Sequence, residues 1–197
     1  MDWQEYKTKV KESLDVFEFD EKILFLLKDS ISNKQKIFTA GNGGSAALAM
    51  HYSSDFSKGA VHDWEKNYKR YQSICLSTNM SYITAIANDE SYKDIFKQQL
   101  INLASPKDIL MLISSSGNSP NIVEAAKQGK ALEMIVVGVT GFEGGELKKL
   151  ADYNAHVNCK SYEVTEDIHS VFGHFLSCYL REEGMKNPLV KFEGSTK

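Results

Sequence analysis

Residues 36–45 read Lys-Ile-Phe-Thr-Ala-Gly-Asn-Gly-Gly-Ser, and this stretch decides the fold. Lys36–Ala40 is a short strand that runs straight into glycines. Helical periodicity resumes at once through Ala46 to Phe56. A glycine-rich turn placed so exposes backbone N–H groups at the positive end of a helix dipole, where anions bind. The glycines allow close backbone approach. The turn is not G-x-G-x-x-G, and no P-loop lysine follows, so neither dinucleotide nor P-loop chemistry fits and no nucleotide cofactor is expected. A tight strand-to-helix turn with Ser45 as a mere cap is the plainer reading of the same residues.

Outward from this turn the pattern repeats. Ile109–Ile113 is an unbroken apolar run, as expected of a strand buried on both faces. It ends in Ser114-Ser115-Ser116-Gly117-Asn118-Ser119, followed by a helix near 120–131. Those hydroxyls and helix N-terminal amides make a neutral cradle for a phosphate; a Ser/Asn-rich capping loop is the alternative. A run over 134–139 ends in Thr140-Gly141. Residues 71–76 and, more weakly, 153–157 complete five strands. Helices are expected near 79–87, 91–103, 145–151 and 164–184. Strands alternating with helices predict an α/β three-layer sandwich with a parallel five-stranded sheet. Ligands then bind at the rim of strand C-terminal ends.

Before the first strand, Trp3, Tyr6, Val10, Leu14 and Phe17 share one helix face, and Ile23, Leu24, Leu27 and Ile31 repeat the spacing over 20–33, with Asp20 as the expected N-cap. These helices, within residues 1–34, either clamp a partner subunit or cover a sheet edge. The α/β core is placed at 35–186. The polar stretch 58–71 reads as a loop inserted near the site, and 187–197 as a frayed tail.

Composition narrows the function. With 197 residues, 42% of them hydrophobic, the chain makes a single domain with a substantial core. A net charge of −3 gives no global field for nucleic acid, and the cluster Lys66–Arg70 reads as a solvated loop. Cys75, Cys159 and Cys178 are far apart and suit a reducing compartment. No secretory leader is apparent and no apolar run reaches the ~20 residues that span a bilayer. The chain is therefore expected in the cytoplasm, with no membrane partner.

Two further groups carry ionisable chemistry. His51 and Asp55, at i,i+4, share a face of the helix that the glycine turn opens, and can ligate a metal, form an acid/base couple or simply hydrogen-bond at the surface. Glu166, His169 and His174 lie on the last long helix. Eight helical positions rise roughly 12 Å, so Glu166 and His174 on one straight helix should not touch one ion: either Glu166 precedes the helix proper, or the two serve different sites across a subunit contact.

The set resembles the sugar isomerase (SIS) domain family, and within it the phosphoheptose isomerases, over nearly the whole chain. The matching residues are Gly41–Ser45, Met50-His51 with Asp55, Ala87-Asn88-Asp89, Ile113–Ser119, Thr140-Gly141 with Gly144-Gly145, and Glu166–His169 with His174. The resemblance implies a flavodoxin-like topology and a cytoplasmic homotetramer with sites at subunit contacts, isomerising sedoheptulose 7-phosphate to D-glycero-D-manno-heptose 7-phosphate for surface polysaccharide. Asn42, Gly43, Gly44, Asn88, Asp89, Ser114, Ser115, Ser116 and Ser119 match sugar-phosphate positions, the serines taking the phosphate; Ser45 and Glu166 are counted with them. His51, Asp55, Glu166 and His174 match zinc positions, with Asp55 and His174 on the acid/base pair. The family usually has Glu in place of Asp55 and Gln in place of Glu166. A carboxylate set back by about 1 Å can cost ~100-fold in rate. Two alternatives accompany this reading: a non-catalytic SIS regulator that binds a replication initiator protein, and an isomerase of another sugar phosphate.

Overall fold

In the computed structural model the Lys36–Ala40 run is strand β2, and its alternating side chains serve two cores. The structure describes residues 1–60 and 70–186. In chain order the elements are α1 (Trp3–Asp15), β1 (Glu18–Phe19), α2 (Lys22–Asn33), β2 (Lys36–Ala40), α3 (Gly43–Ser54), a π-helical turn (Asp55–Gly59) and β3 (Gln72–Cys75). Then come α4 (Met80–Asp89), a 3₁₀ turn (Tyr92–Asp94), α5 (Lys97–Leu103), β4 (Ile109–Ser114), α6 (Pro120–Ala131), β5 (Ile135–Thr140), α7 (Gly145–Leu150), β6 (Tyr153–His156) and α8 (Tyr162–Lys186).

Ile37, Ile109, Met111, Ile113, Val137 and Val139 point to one side, where Ile23 and Leu27 of α2, Tyr52 of α3 and Phe172 and Leu176 of α8 cover them. Phe38, Leu110, Leu112 and Val136 point to the other, against Leu100 of α5, Ile122 and Ala126 of α6 and Leu147 of α7. Successive strand residues face opposite ways, so each strand feeds both layers. All six residues of β4 are buried, as its unbroken apolar run requires.

The sheet order is β1-β6-β5-β4-β2-β3. Its five parallel strands run β3-β2-β4-β5-β6, which is the flavodoxin-like order 2-1-3-4-5. The expected five-stranded parallel sheet needs one correction. Glu18–Phe19 pairs antiparallel with β6, making six strands among the described residues. A two-residue strand carries too little alternation to be seen in a sequence, and here it covers an otherwise open edge.

Other boundaries shift. Residues 58 and 59, expected in a loop, belong to the π turn. The N-cap position of α2 is Glu21, while the Asp20 carboxylate accepts from the Lys22 N–H at 3.0 Å. Most of the 58–71 loop, most of the Lys66–Arg70 cluster, and the 187–197 tail lie outside the described residues. No helix among the described residues is long and apolar enough to cross a membrane.

Candidate active site

Strands β2 and β4 are neighbours, and the chain departs from them toward opposite ends of the sheet. Their C-terminal turns flank the topological switch point, where open α/β sheets bind ligands. Asn42 is the N-cap of α3 and Ser119 that of α6, with Pro120 opening the latter. Both residue types normally cap with their side chains. Among the described residues, neither does so here, so no side chain takes the helix-start amides. The Ser114 hydroxyl accepts from the Gly117 N–H at 3.1 Å. Ser115 Oγ is buried without a partner. An unsatisfied buried hydroxyl costs about 1–3 kcal/mol, which a ligand oxygen would offset.

The serine turn is braced from behind. Gly117 sits at φ +67°, and a Cβ there would lie 1.9 Å from the Gly144 carbonyl oxygen. Gly141 N–H donates to the Ser115 carbonyl at 3.0 Å, and Leu147 N–H to the Gly117 carbonyl at 2.9 Å. Asn118 Oδ1 accepts from the Glu146 N–H at 3.0 Å. The Thr140–Gly145 motif thus fixes the loop that faces it. A cavity of about 520 Å³ opens beside Ser116, with Phe142, Tyr162, Lys149 and Lys160 in its wall.

The second half of the site is ionisable. His51 Nε2 lies 3.5 Å from Asp55 Oδ2 and 3.4 Å from His174 Nε2. One ligand atom from each of His51, Asp55 and His174 falls within 4.8 Å of the others. Two imidazoles and a carboxylate are a fitting donor set for a divalent metal, zinc included. Helices α3 and α8 meet closely enough for this because Gly173 has no side chain. A Cβ there would sit 2.1 Å from Tyr52 Cε1, and the Tyr52 hydroxyl donates to the His169 carbonyl.

A SIS domain model matches residues 5–141. A phosphoheptose isomerase of Campylobacter jejuni is 35% identical over 182 residues, covering 92% of this chain and 95% of that protein. A probable phosphoheptose isomerase of Thermoplasma acidophilum is 36% identical, covering 80% and 84%. The solved phosphoheptose isomerase of Neisseria gonorrhoeae superposes with a TM-score of 0.74 at 27% identity, covering 91% of this chain and 90% of that one. The chain belongs to the SIS domain family. Within it the chain stands among the phosphoheptose isomerases, and it is an isomerase.

Of the four residues expected to hold a metal, Glu166 does not join the cluster found among the described residues. Its carboxylate lies against Gly44, where a Cβ would come within 2.1 Å of Oε2. Gly44 meets Glu166 at one level and His51 meets His174 at another, so α3 and α8 run side by side in one direction. Seven to eight residues separate the levels, roughly 10–12 Å. Burial, with Glu163 and Asp167 nearby, raises the Glu166 pKa. Ser45 is buried in the first turn of α3. Asn88 and Asp89 stay exposed at the end of α4, their side chains bonded to each other at 2.8 Å. His169 is fully buried with both ring nitrogens unpartnered, and burial depresses its pKa to about 4.

Two residues escaped the sequence reading. Asn121, one position past the serine motif and its proline, exchanges two hydrogen bonds of 2.8 Å with Asn42. Tyr92 reaches Asn42 Oδ1 through its hydroxyl at 3.2 Å. An amide pair 79 positions apart leaves no periodic trace. The one available signal was a second asparagine at the start of α6.

Proposed function

We propose that this SIS protein interconverts sedoheptulose 7-phosphate and D-glycero-D-manno-heptose 7-phosphate, supplying heptose for surface polysaccharide. The observation that carries the reading is the combination of two uncapped helix starts, those of α3 and α6, with a His–Asp–His cluster held where α3 and its π turn meet α8. The serine turn, with Ser114, Ser115, Ser116 and Ser119, takes the phosphate, and the Asn42–Ser45 turn contributes amides. The roughly 10–12 Å between the two levels of the helix pair favours an extended seven-carbon chain over a short one.

Asp55 removes the proton beside the carbonyl, and His174 delivers one to the neighbouring oxygen or carbon, giving an enediol route reversible in both directions. His51 lies within reach of both and orients them. His51, Asp55 and His174 would hold zinc, whose chemistry there is to polarise the sugar carbonyl. Asn88 and Asp89 serve the sugar hydroxyls.

The assembly proposed is a cytoplasmic homotetramer. In support, α1 buries only Ser13 and leaves Trp3 69% exposed. Exposed Met50, Val171 and Phe175 adjoin the cluster in sequence. A second copy over that face would exclude water from His51 and His174. A coupled assay on heptose, hexose and pentose phosphates, with metal analysis of the purified protein, tests the reading. Turnover confined to the heptose is expected; sugar phosphate binding without turnover would favour a regulator.

A further inference from the structure

We infer that Asn121 is a positioning residue for the anion, holding the Asn42 amide off the start of α3 so that the helix end stays open. The inference rests on the sugar phosphate reading of this site and assigns it a part that the serine and glycine motifs do not contain.

Asn42 holds the N-cap position of α3, ahead of Gly43 at φ +53°. Its backbone is extended, φ −116° and ψ 149°, and the helix begins at the next residue. Asn79, at the same position of α4, accepts from the Tyr82 N–H at 3.2 Å. An asparagine at this position can therefore cap a helix of this fold. At Asn42 other partners compete. Its Oδ1, the atom that would cap, accepts from Asn121 Nδ2 at 2.8 Å and from the Tyr92 hydroxyl at 3.2 Å. Its Nδ2 donates to Asn121 Oδ1 at 2.8 Å. Both lone pairs of the acceptor are used.

Asn121 is only 1% exposed, so its amide has no water to turn to and the pair is held from the buried side. The pair also ties the turn after β2 to the helix after β4. The two anion turns then move as one body. Loss of Asn121 frees Asn42 to swing back and cap α3, which places a side-chain oxygen where a phosphate oxygen belongs. The defect is self-occupation of the site, and a second substitution should relieve it.

Inorganic phosphate is the probe, titrated against the full-length protein and followed by thermal shift and calorimetry. Asn121→Ala should bind phosphate about fivefold more weakly, the scale of one N-cap. Asn42→Ala in that background should recover most of the loss, since no side chain is left to occupy the helix end. In steady-state assays Asn121→Ala should raise KM while kcat stays within about twofold. Wild-type phosphate affinity in Asn121→Ala overturns the inference, and so does a double variant weaker than the single, which marks a merely structural role. If Asn121→Ala does not fold, Tyr92→Phe at an exposed ring serves instead. About a twofold weakening is expected, and none would overturn the role assigned to the Asn42 acceptor. A wild-type protein that ignores phosphate removes the anion site and the inference together. The expected phosphate pattern without heptose phosphate turnover leaves the inference standing and removes the substrate.

Discussion

The start of α1 and the starts of α3 and α6 are built from similar residues and do opposite things. At α1 the Asp2 carboxylate accepts from Gln4 N–H at 2.8 Å and Glu5 N–H at 2.9 Å, and Glu5 returns a bond to the Asp2 N–H. At α3 and α6 the capping residues are present and their side chains leave the helix end alone. Local propensity would cap all three. The difference lies in what each end faces. α1 starts at an exposed corner, while α3 and α6 start at the switch point of the sheet. On the proposed reading, the helix-start amides that no side chain caps are kept for a ligand.

The widest separation expected on this view is between binding at helix starts and chemistry at the far end of α3. Asp55→Asn or His174→Ala should lower kcat by about 10²–10⁴-fold with little change in KM, as for loss of a general acid or base. Steady-state kinetics decide it, and undiminished turnover in Asp55→Asn removes Asp55 from the mechanism. Next is Gly41→Ala, whose Cβ would fall 2.3 Å from the Ser45 carbonyl oxygen. The turn must shift, and KM should rise by roughly 100-fold, the scale of a misplaced site. A normal KM there would break the contrast, since the turn would then tolerate movement.

A smaller effect concerns charge. Glu166 against Gly44 repels an anion when ionised, and its raised pKa keeps it protonated to higher pH than an ordinary carboxyl. Glu166→Gln should lower KM several-fold at neutral pH. The ratio of wild-type to variant KM should fall toward one as pH drops through the Glu166 titration. A ratio independent of pH would dissociate Glu166 from the anion turn. Last is Asp2→Ala, which should cost about 1 kcal/mol, or roughly 2–4 °C in Tm, and leave kcat and KM alone. Altered kinetics would mean that α1 is not the inert end of the comparison.

The sequence carried the five parallel strands and both turns, because short β-prone runs and two glycine or serine breaks are local signals; the strand order came with the family resemblance. Helix rise argued against Glu166 and His174 meeting on one ion, while the family resemblance put both at metal positions. The sequence did not carry β1, whose pairing with β6 joins residues more than 130 positions apart. The π turn at Asp55–Gly59 was hidden for another reason: nothing in Asp-Phe-Ser-Lys-Gly distinguishes a widened turn from a helix end. Asn121 was hidden because its partner is set by the sheet. His51 and His174 were each visible, yet their meeting depends on how two helices pack.

That packing rests on Gly173 and Tyr52, each the chain neighbour of one imidazole. The gap between the two rings is set by a methyl group that is not there. Any residue larger than glycine at 173 would wedge the helices apart and open the donor set before it disturbed the fold. The tolerance of this enzyme to change at 173 is therefore a gauge of how finely its chemistry is spaced, legible at a position that carries no functional group of its own.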